Sequence, residues 1–213
     1  MKNLKEISMK KILFICATWF LLLFTTGCDT IDTWPNGLPE MQNVFMIGFF
    51  KSNVNTDALN YEIAADGSAR WRINTGMWTN TDEKNISSPI PLQLSSEQVR
   101  SFDVISYFWI TNDGSSTLAA ETDYSVTTEN GTAIAPDGNE AYSVTWPQAK
   151  KGVQNVKIKR LSAKTGVLKV NVLNPANGTP SASDISTTVN NHTNDYEVRG
   201  MTFDYNKVTV TFN

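Results

Sequence analysis

The chain has 213 residues, with 18 Lys+Arg against 21 Asp+Glu, a net charge of −3, two cysteines and one histidine. An acidic chain without a basic stripe excludes a nucleic-acid binder of the usual electrostatic kind. One histidine, His192, and so few thiols exclude a closed Cys/His zinc centre and a bis-histidine haem clamp.

Lys10 and Lys11 precede an apolar run, Leu13 to Cys28, that closes on Thr25-Thr26-Gly27-Cys28. A short positive segment, an apolar core and small residues before a cut read as a secretory signal. Ile12 to Phe24 falls short of the roughly 20 apolar residues that a spanning helix needs. The ending Phe24 to Cys28 resembles the lipobox of bacterial lipoproteins, with Thr25 where leucine is usual. The resemblance implies lipidation of Cys28, loss of residues 1–27, and anchorage in the outer membrane through that lipid. Residues 1–27 hold four lysines and one glutamate, so the remaining 186 residues carry a net −6. A body of that size buries roughly 70% of its unfolded surface without a disulfide.

Residues 28–42, with two prolines, a glycine and no periodicity, read as a tether. Within it Asp29-Thr30-Ile31 resembles the O-glycosylation motif of Bacteroidota proteins. Asn43 to Ser52 predicts a buried strand. Residues 59 to 74 predict a hairpin, both arms having period two around Asp66-Gly67-Ser68. A three-residue loop there puts Ile63 opposite Trp71 and Glu62 opposite Arg72, matching both faces. Asn74 to Ser88 is a polar loop that contains Trp78. Ile90 to Leu94, with Pro89 and Pro91, reads as a short edge or entry strand. Ser95 to Gln98 fits a capping box for one helical turn.

Ser101 to Thr111, apolar on both faces over its second half, predicts the central strand. Further strands are expected at Asp123 to Thr128, Glu140 to Trp146, Val153 to Arg160 and Val167 to Leu173. Asn174 to Asp184 is loop by composition. A closing hairpin is expected from Tyr196 to Phe203 and Lys207 to Phe212, with Val208, Val210 and Phe212 inward. Short strands between turn signals, with almost no helical periodicity, predict an all-β sandwich or barrel.

From about residue 88 onward the order of features is similar to the Calx-beta-like, immunoglobulin-like sandwich of Bacteroidota lipoproteins of unknown function. The pieces are Pro91 to Leu94, Thr122-Asp123-Tyr124 with Glu121 before it, Val144 to Pro147, Val153 to Ile158, and Val170 to Pro175. The resemblance implies an antiparallel sandwich over residues 43–213, residues 43–87 being an N-terminal strand and hairpin extension of the core at 88–213. Calcium-binding relatives carry an acidic cluster after the Val153-type strand. Here Lys159 to Lys164 is basic, so calcium is not carried over, and no metal or cofactor is expected.

No nucleophile elbow, phosphate loop or dinucleotide fingerprint is present, so the expectation is a binding or accessory module rather than an enzyme, a paired-carboxylate hydrolase being the one enzymatic route the sequence leaves open. Trp71 and Trp109 sit in strand patterns and read as core, while Trp146 ends a strand and fits either role. Trp34 and Trp78 lie in polar stretches. Trp78 stands close in sequence to Asn80, Asp82, Glu83 and Asn85, a ring with amides and carboxylates around it. That combination suits the C–H face and hydroxyl rim of a sugar; the alternative is a ring folded back over the sandwich edge. The expected role is therefore a lipid-anchored envelope protein of a nutrient-uptake locus, with a polysaccharide or an outer-membrane transporter as partner. The alternative is a structural or adhesive envelope protein without a small ligand.

Overall fold

The computed structural model describes residues 41–50, 59–73, 89–96, 99–181, 183–202 and 205–213. Twelve strands are found among them: β1 (Val44–Phe49), β2 (Leu59–Ile63), β3 (Ala69–Ile73), β4 (Ile90–Ser95), β5 (Val104–Asn112), β6 (Tyr124–Thr128), β7 (Ala141–Trp146), β8 (Gly152–Arg160), β9 (Gly166–Asn171), β10 (Val189–His192), β11 (Glu197–Gly200) and β12 (Lys207–Phe212). They form two six-stranded sheets, one ordered β10-β11-β1-β4-β8-β6 and the other β3-β2-β12-β9-β5-β7. Alternate residues of each strand point inward and meet in one core. The first sheet contributes Ile47, Phe49, Leu92, Leu94 and Ile158; the second contributes Ile63, Phe108, Leu168, Val170 and Val210. This is the arrangement of a β-sandwich. No helix of the described residues is long and apolar enough to cross a membrane.

Four expectations are corrected. The sheets are mixed rather than antiparallel, because β1 runs parallel to β11 and β12 parallel to β2. Each parallel pair joins an early strand to a late one, which the long intervening chain permits. The C-terminal hairpin does not exist: β11 lies in the first sheet and β12 in the second. β12 instead sits between β2 and β9, and its alternation of inward Val208, Val210 and Phe212 serves that interior position. β5 is hydrogen-bonded on both sides, to β7 and β9, but stands second from the edge, not at the centre. The strand β10 falls in polar sequence, Val189-Asn190-Asn191-His192, that carries no alternation to predict it.

The fourth correction is the register of the β2–β3 hairpin. Ile63 pairs with Ala69, Tyr61 with Trp71 and Glu62 with Arg70, two residues away from the expected pairing of Ile63 with Trp71. The loop is three residues long, but it is Ala65-Asp66-Gly67. Ala64 N–H bonds to Ser68 O at 2.8 Å and Gly67 N–H to Ala64 O at 2.9 Å. The physical reason is Gly67, whose φ of +81° is left-handed. A three-residue hairpin loop puts its left-handed residue last, so the glycine must end the loop. Face matching survives the shift, since Arg70 meets Glu62 at 3.0 Å and the Tyr61 and Trp71 rings pack edge-on at 5.2 Å.

Candidate functional site

Cys28, Trp34, Trp78, Asn80, Asp82, Glu83 and Asn85 all lie outside the described residues, as do Glu97 and Gln98 of the expected helical turn. The site can therefore be built only from the sandwich, and the strand that builds it is β5. Its even residues Val104, Phe108 and Ile110 enter the core. Its odd residues, among them Tyr107 and Trp109, face the opposite way. Trp109 is only 5% exposed, yet it stands apart from the core cluster. On that outer face the Tyr107 ring lies beside it, and the loop residues Asp137, Asn139, Asn174 and Ala176 line the same cleft. Trp146, by contrast, belongs to the core, and its indole N–H donates to the buried Ser106 hydroxyl at 2.8 Å. Trp71 is half-buried and packs against the core from the hairpin.

A cleft of about 390 Å³ opens over Tyr107 and Trp109, whose ring centroids are 6.2 Å apart at 45°. Asp137, Asn139, Asn174 and Asn190 complete its wall. Each is positioned by a local device. Asp137 Oδ1 accepts from the amides of Asn139 at 2.8 Å and Ala141 at 3.0 Å, which folds the turn before β7. Glu140 closes that turn in the left-handed region at φ +59°. Asn174 Oδ1 accepts from Ala176 N at 2.9 Å and so caps the short 3-10 turn Pro175–Asn177. Those devices leave Asp137 Oδ2, the Asn139 side-chain amide and Asn174 Nδ2 for a ligand. No cationic side chain lines the cleft.

Asn190 does the structural work beneath it. β9 pairs with β5 only from Trp109 onward, so the earlier half of β5 has an open edge on that side. The Asn190 side chain fills it as a peptide group would. Its Oδ1 accepts from Tyr107 N at 2.8 Å, and its Nδ2 donates to Tyr107 O and to Val172 O, each at 2.7 Å. Asn191 Nδ2 donates to Ile105 O at 2.8 Å, and Ile105 N–H donates to the Tyr196 hydroxyl at 3.0 Å. The floor under Tyr107 is thus fixed by side chains from β10 and its neighbours.

The basic segment after β8 has a defined place. Arg160 donates to the carbonyls of Ser162, Ala163 and Lys164, reaches Asn213 O, and lies 5.9 Å over the Phe212 ring. Asp123 holds the other side. It accepts from the Ser162 hydroxyl at 2.7 Å, from Ala119 N at 2.8 Å and from Lys164 Nζ at 3.2 Å. The Ser162 hydroxyl, followed by the Ala119 amide, holds the Asp123 carboxyl below the usual carboxylate range. Asp66 is held low in the same way by the Ser68 hydroxyl and amide. Burial pushes the phenol of Tyr61 up to about 12 and raises those of Tyr124 and Tyr142 as well. None of these shifted groups lines the Tyr107 cleft. Among the described residues no group of three or more His, Cys, Asp or Glu is arranged to hold a metal ion. His192 ends β10 with an exposed ring, 3.3 Å from Glu197.

Sequence reasoning missed the Tyr107 cleft because its walls come from residues 107 to 190. The one signal available was that Tyr107 and Trp109 share the face of β5 opposite Phe108. No family model matches the chain, and neither the curated proteins nor the solved structures contain a match.

Proposed function

We propose that this chain is a lipid-anchored cell-envelope binding or accessory protein, attached through Cys28, that takes a neutral glycan in the cleft over Tyr107 and Trp109. The observation that supports this most is the chemistry of the cleft. It has a half-buried tyrosine ring for the C–H face of a sugar, and amide and carboxylate groups placed for its hydroxyls. It has no cation that would favour an acidic ligand. The walls are held by hydrogen bonds before any ligand arrives, which lowers the ordering cost of binding. One stacking ring and a few exposed polar groups correspond to a Kd of roughly micromolar to millimolar. Such a cleft on a rigid sandwich supports a binding or accessory role. The Calx-beta-like reading draws support from Glu121, which stands before Thr122-Asp123-Tyr124 in the left-handed conformation, φ +60°, that favours glycine.

The test is titration with a panel of neutral plant and host oligosaccharides, for the parent, Tyr107→Ala and Asn139→Ala. A neutral ligand should bind the parent, with Kd raised at least tenfold in both variants. Asn139 is exposed, so its variant should melt with the parent. A parent that binds no neutral member of the panel refutes the glycan cleft and leaves the structural or adhesive reading.

A further inference from the structure

A second cleft, of about 440 Å³, lies where the tip of the β2–β3 hairpin meets strands β6 and β8. Its chemistry differs from that of the first. Lys157 and Lys159 line it from β8, with Thr127 from β6 and Gly67, Ser68 and Tyr61 from the hairpin. Residues two apart on a strand project from the same face, about 7 Å apart along it. The two ammonium groups therefore share one side of the cleft, and their cross-strand partners on β6 are neutral, Thr127 for Lys157 and Ser125 for Lys159. Two like charges on one face repel each other unless something neutralises them. Nothing among the described residues does so. Lys157 donates one hydrogen bond, to the Glu129 carbonyl at 3.0 Å, and neither lysine makes an ion pair. The carboxylates of Glu129 and Asp66 are engaged by other donors. Glu129 accepts from the Asn155 amide at 2.8 Å, and Asp66 from the Ser68 amide and hydroxyl at 2.9 and 2.7 Å.

We propose that this cleft is a binding site for an anionic saccharide, its carboxylate or sulfate ester held between Lys157 and Lys159. Thr127 offers a hydroxyl to the neighbouring sugar oxygens. Gly67, without a side chain, leaves room for a ring to approach the hairpin tip; a Cβ built there meets nothing within 4 Å. Lys157 keeps two N–H donors after its bond to Glu129, and Lys159 keeps all three. The concentration of charge is local, on a chain whose net charge is negative. It therefore selects for an acidic group at this place rather than attracting polyanions over the whole surface.

The experiment compares the full chain with Lys159→Gln and with Lys157→Gln/Lys159→Gln. Each is titrated with three probes of equal length: oligogalacturonate for the carboxylate, a sulfated glycosaminoglycan oligosaccharide for the sulfate ester, and a neutral oligoglucan. At least one acidic probe should bind the parent with a Kd below about 1 mM. That binding should weaken about fivefold in the single variant, tenfold or more in the double variant, and again when salt is raised from 50 to 500 mM. Which acidic probe binds identifies the acid group. Both variants remove exposed or half-exposed charges and should melt with the parent. Neutral-probe binding that weakens in the double variant as much as acidic binding does, acidic binding unchanged in the double variant, or no acidic binding at all overturns the proposal. The neutral arm reads the Tyr107 cleft separately, so failure of one site is distinguishable from failure of the other.

Discussion

Asn190 ties β10 of the first sheet to Tyr107 on β5 and to Val172 just past β9. It is 6% exposed, and its side chain accepts one hydrogen bond and donates two. Asn190→Asp keeps the shape and the acceptor but removes both donors, and sets a carboxylate against the carbonyls of Tyr107 and Val172. Unsatisfied buried acceptors cost about 1–3 kcal/mol, and an unpaired buried charge costs more. The expected loss at pH 7 is about 3–4 kcal/mol, or roughly 10 °C in Tm for a domain of this size. The sign with pH follows from the burial. The new carboxyl has its folded-state pKa raised above the unfolded value near 3.9, so the penalty shrinks as pH falls through the folded pKa and the acid becomes neutral. A melt series from pH 7 to pH 4 should bring the variant closer to the parent. A gap that stays constant or widens would contradict the hydrogen-bond geometry assigned to Asn190. None of this was readable from Val189-Asn190-Asn191-His192, because each of those amides has a partner on β5, more than eighty residues earlier.

The β2–β3 hairpin shows what sequence can give at the scale of an element. Its arms were legible from period-two alternation, and face matching excluded half of the registers. Choosing among the rest required the turn chemistry of one residue, Gly67. Once Gly67 ends the loop, Asp66 falls at its middle, and its carboxylate accepts from the Ser68 amide and hydroxyl. Gly67→Ala introduces no clash, so its cost is conformational alone, about 1–2 kcal/mol for a left-handed alanine. Asn tolerates that conformation better, so Gly67→Asn should recover most of the loss. Chemical denaturation of the three forms gives the order parent, Gly67→Asn, Gly67→Ala. An alanine variant as stable as the parent would mean that the hairpin turns in another register. β5 is the complementary case. Its interior alternation was legible, but the cleft over Tyr107 and Trp109 was not, because its walls include loop residues whose composition says only that they are loops.

At the scale of the whole molecule, the order in which the chain fills its sheets matters more than any one strand. β12 is formed by the last residues of the sequence, yet it occupies an interior place in the second sheet, parallel to β2 and antiparallel to β9. Val208 and Val210 are fully buried and Phe212 almost so. Until β12 arrives, β2 and β9 have no partner between them, and the sheet cannot close. Pairings this distant in sequence carry the loop-closure entropy that makes folding slow. Ending the chain after Asn206 removes the three inward side chains at about 1.5–3 kcal/mol each, and exposes the ladders on both sides. The sum, roughly 5–9 kcal/mol before any ladder bonds are counted, rivals the entire stability of an ordinary domain, about 5–15 kcal/mol. The truncated chain should therefore show no cooperative thermal transition and should bind neither class of saccharide. Thr209→Ala serves as the control, because Thr209 faces outward and gives up only its hydrogen bond from Lys169 Nζ at 2.7 Å. That loss should stay near 1 kcal/mol with cooperativity intact. If the truncated chain melted cooperatively within a few degrees of the parent, β12 would be a dispensable edge and the interior position assigned to it would be wrong. If Thr209→Ala alone abolished the transition, its outward orientation would be wrong instead.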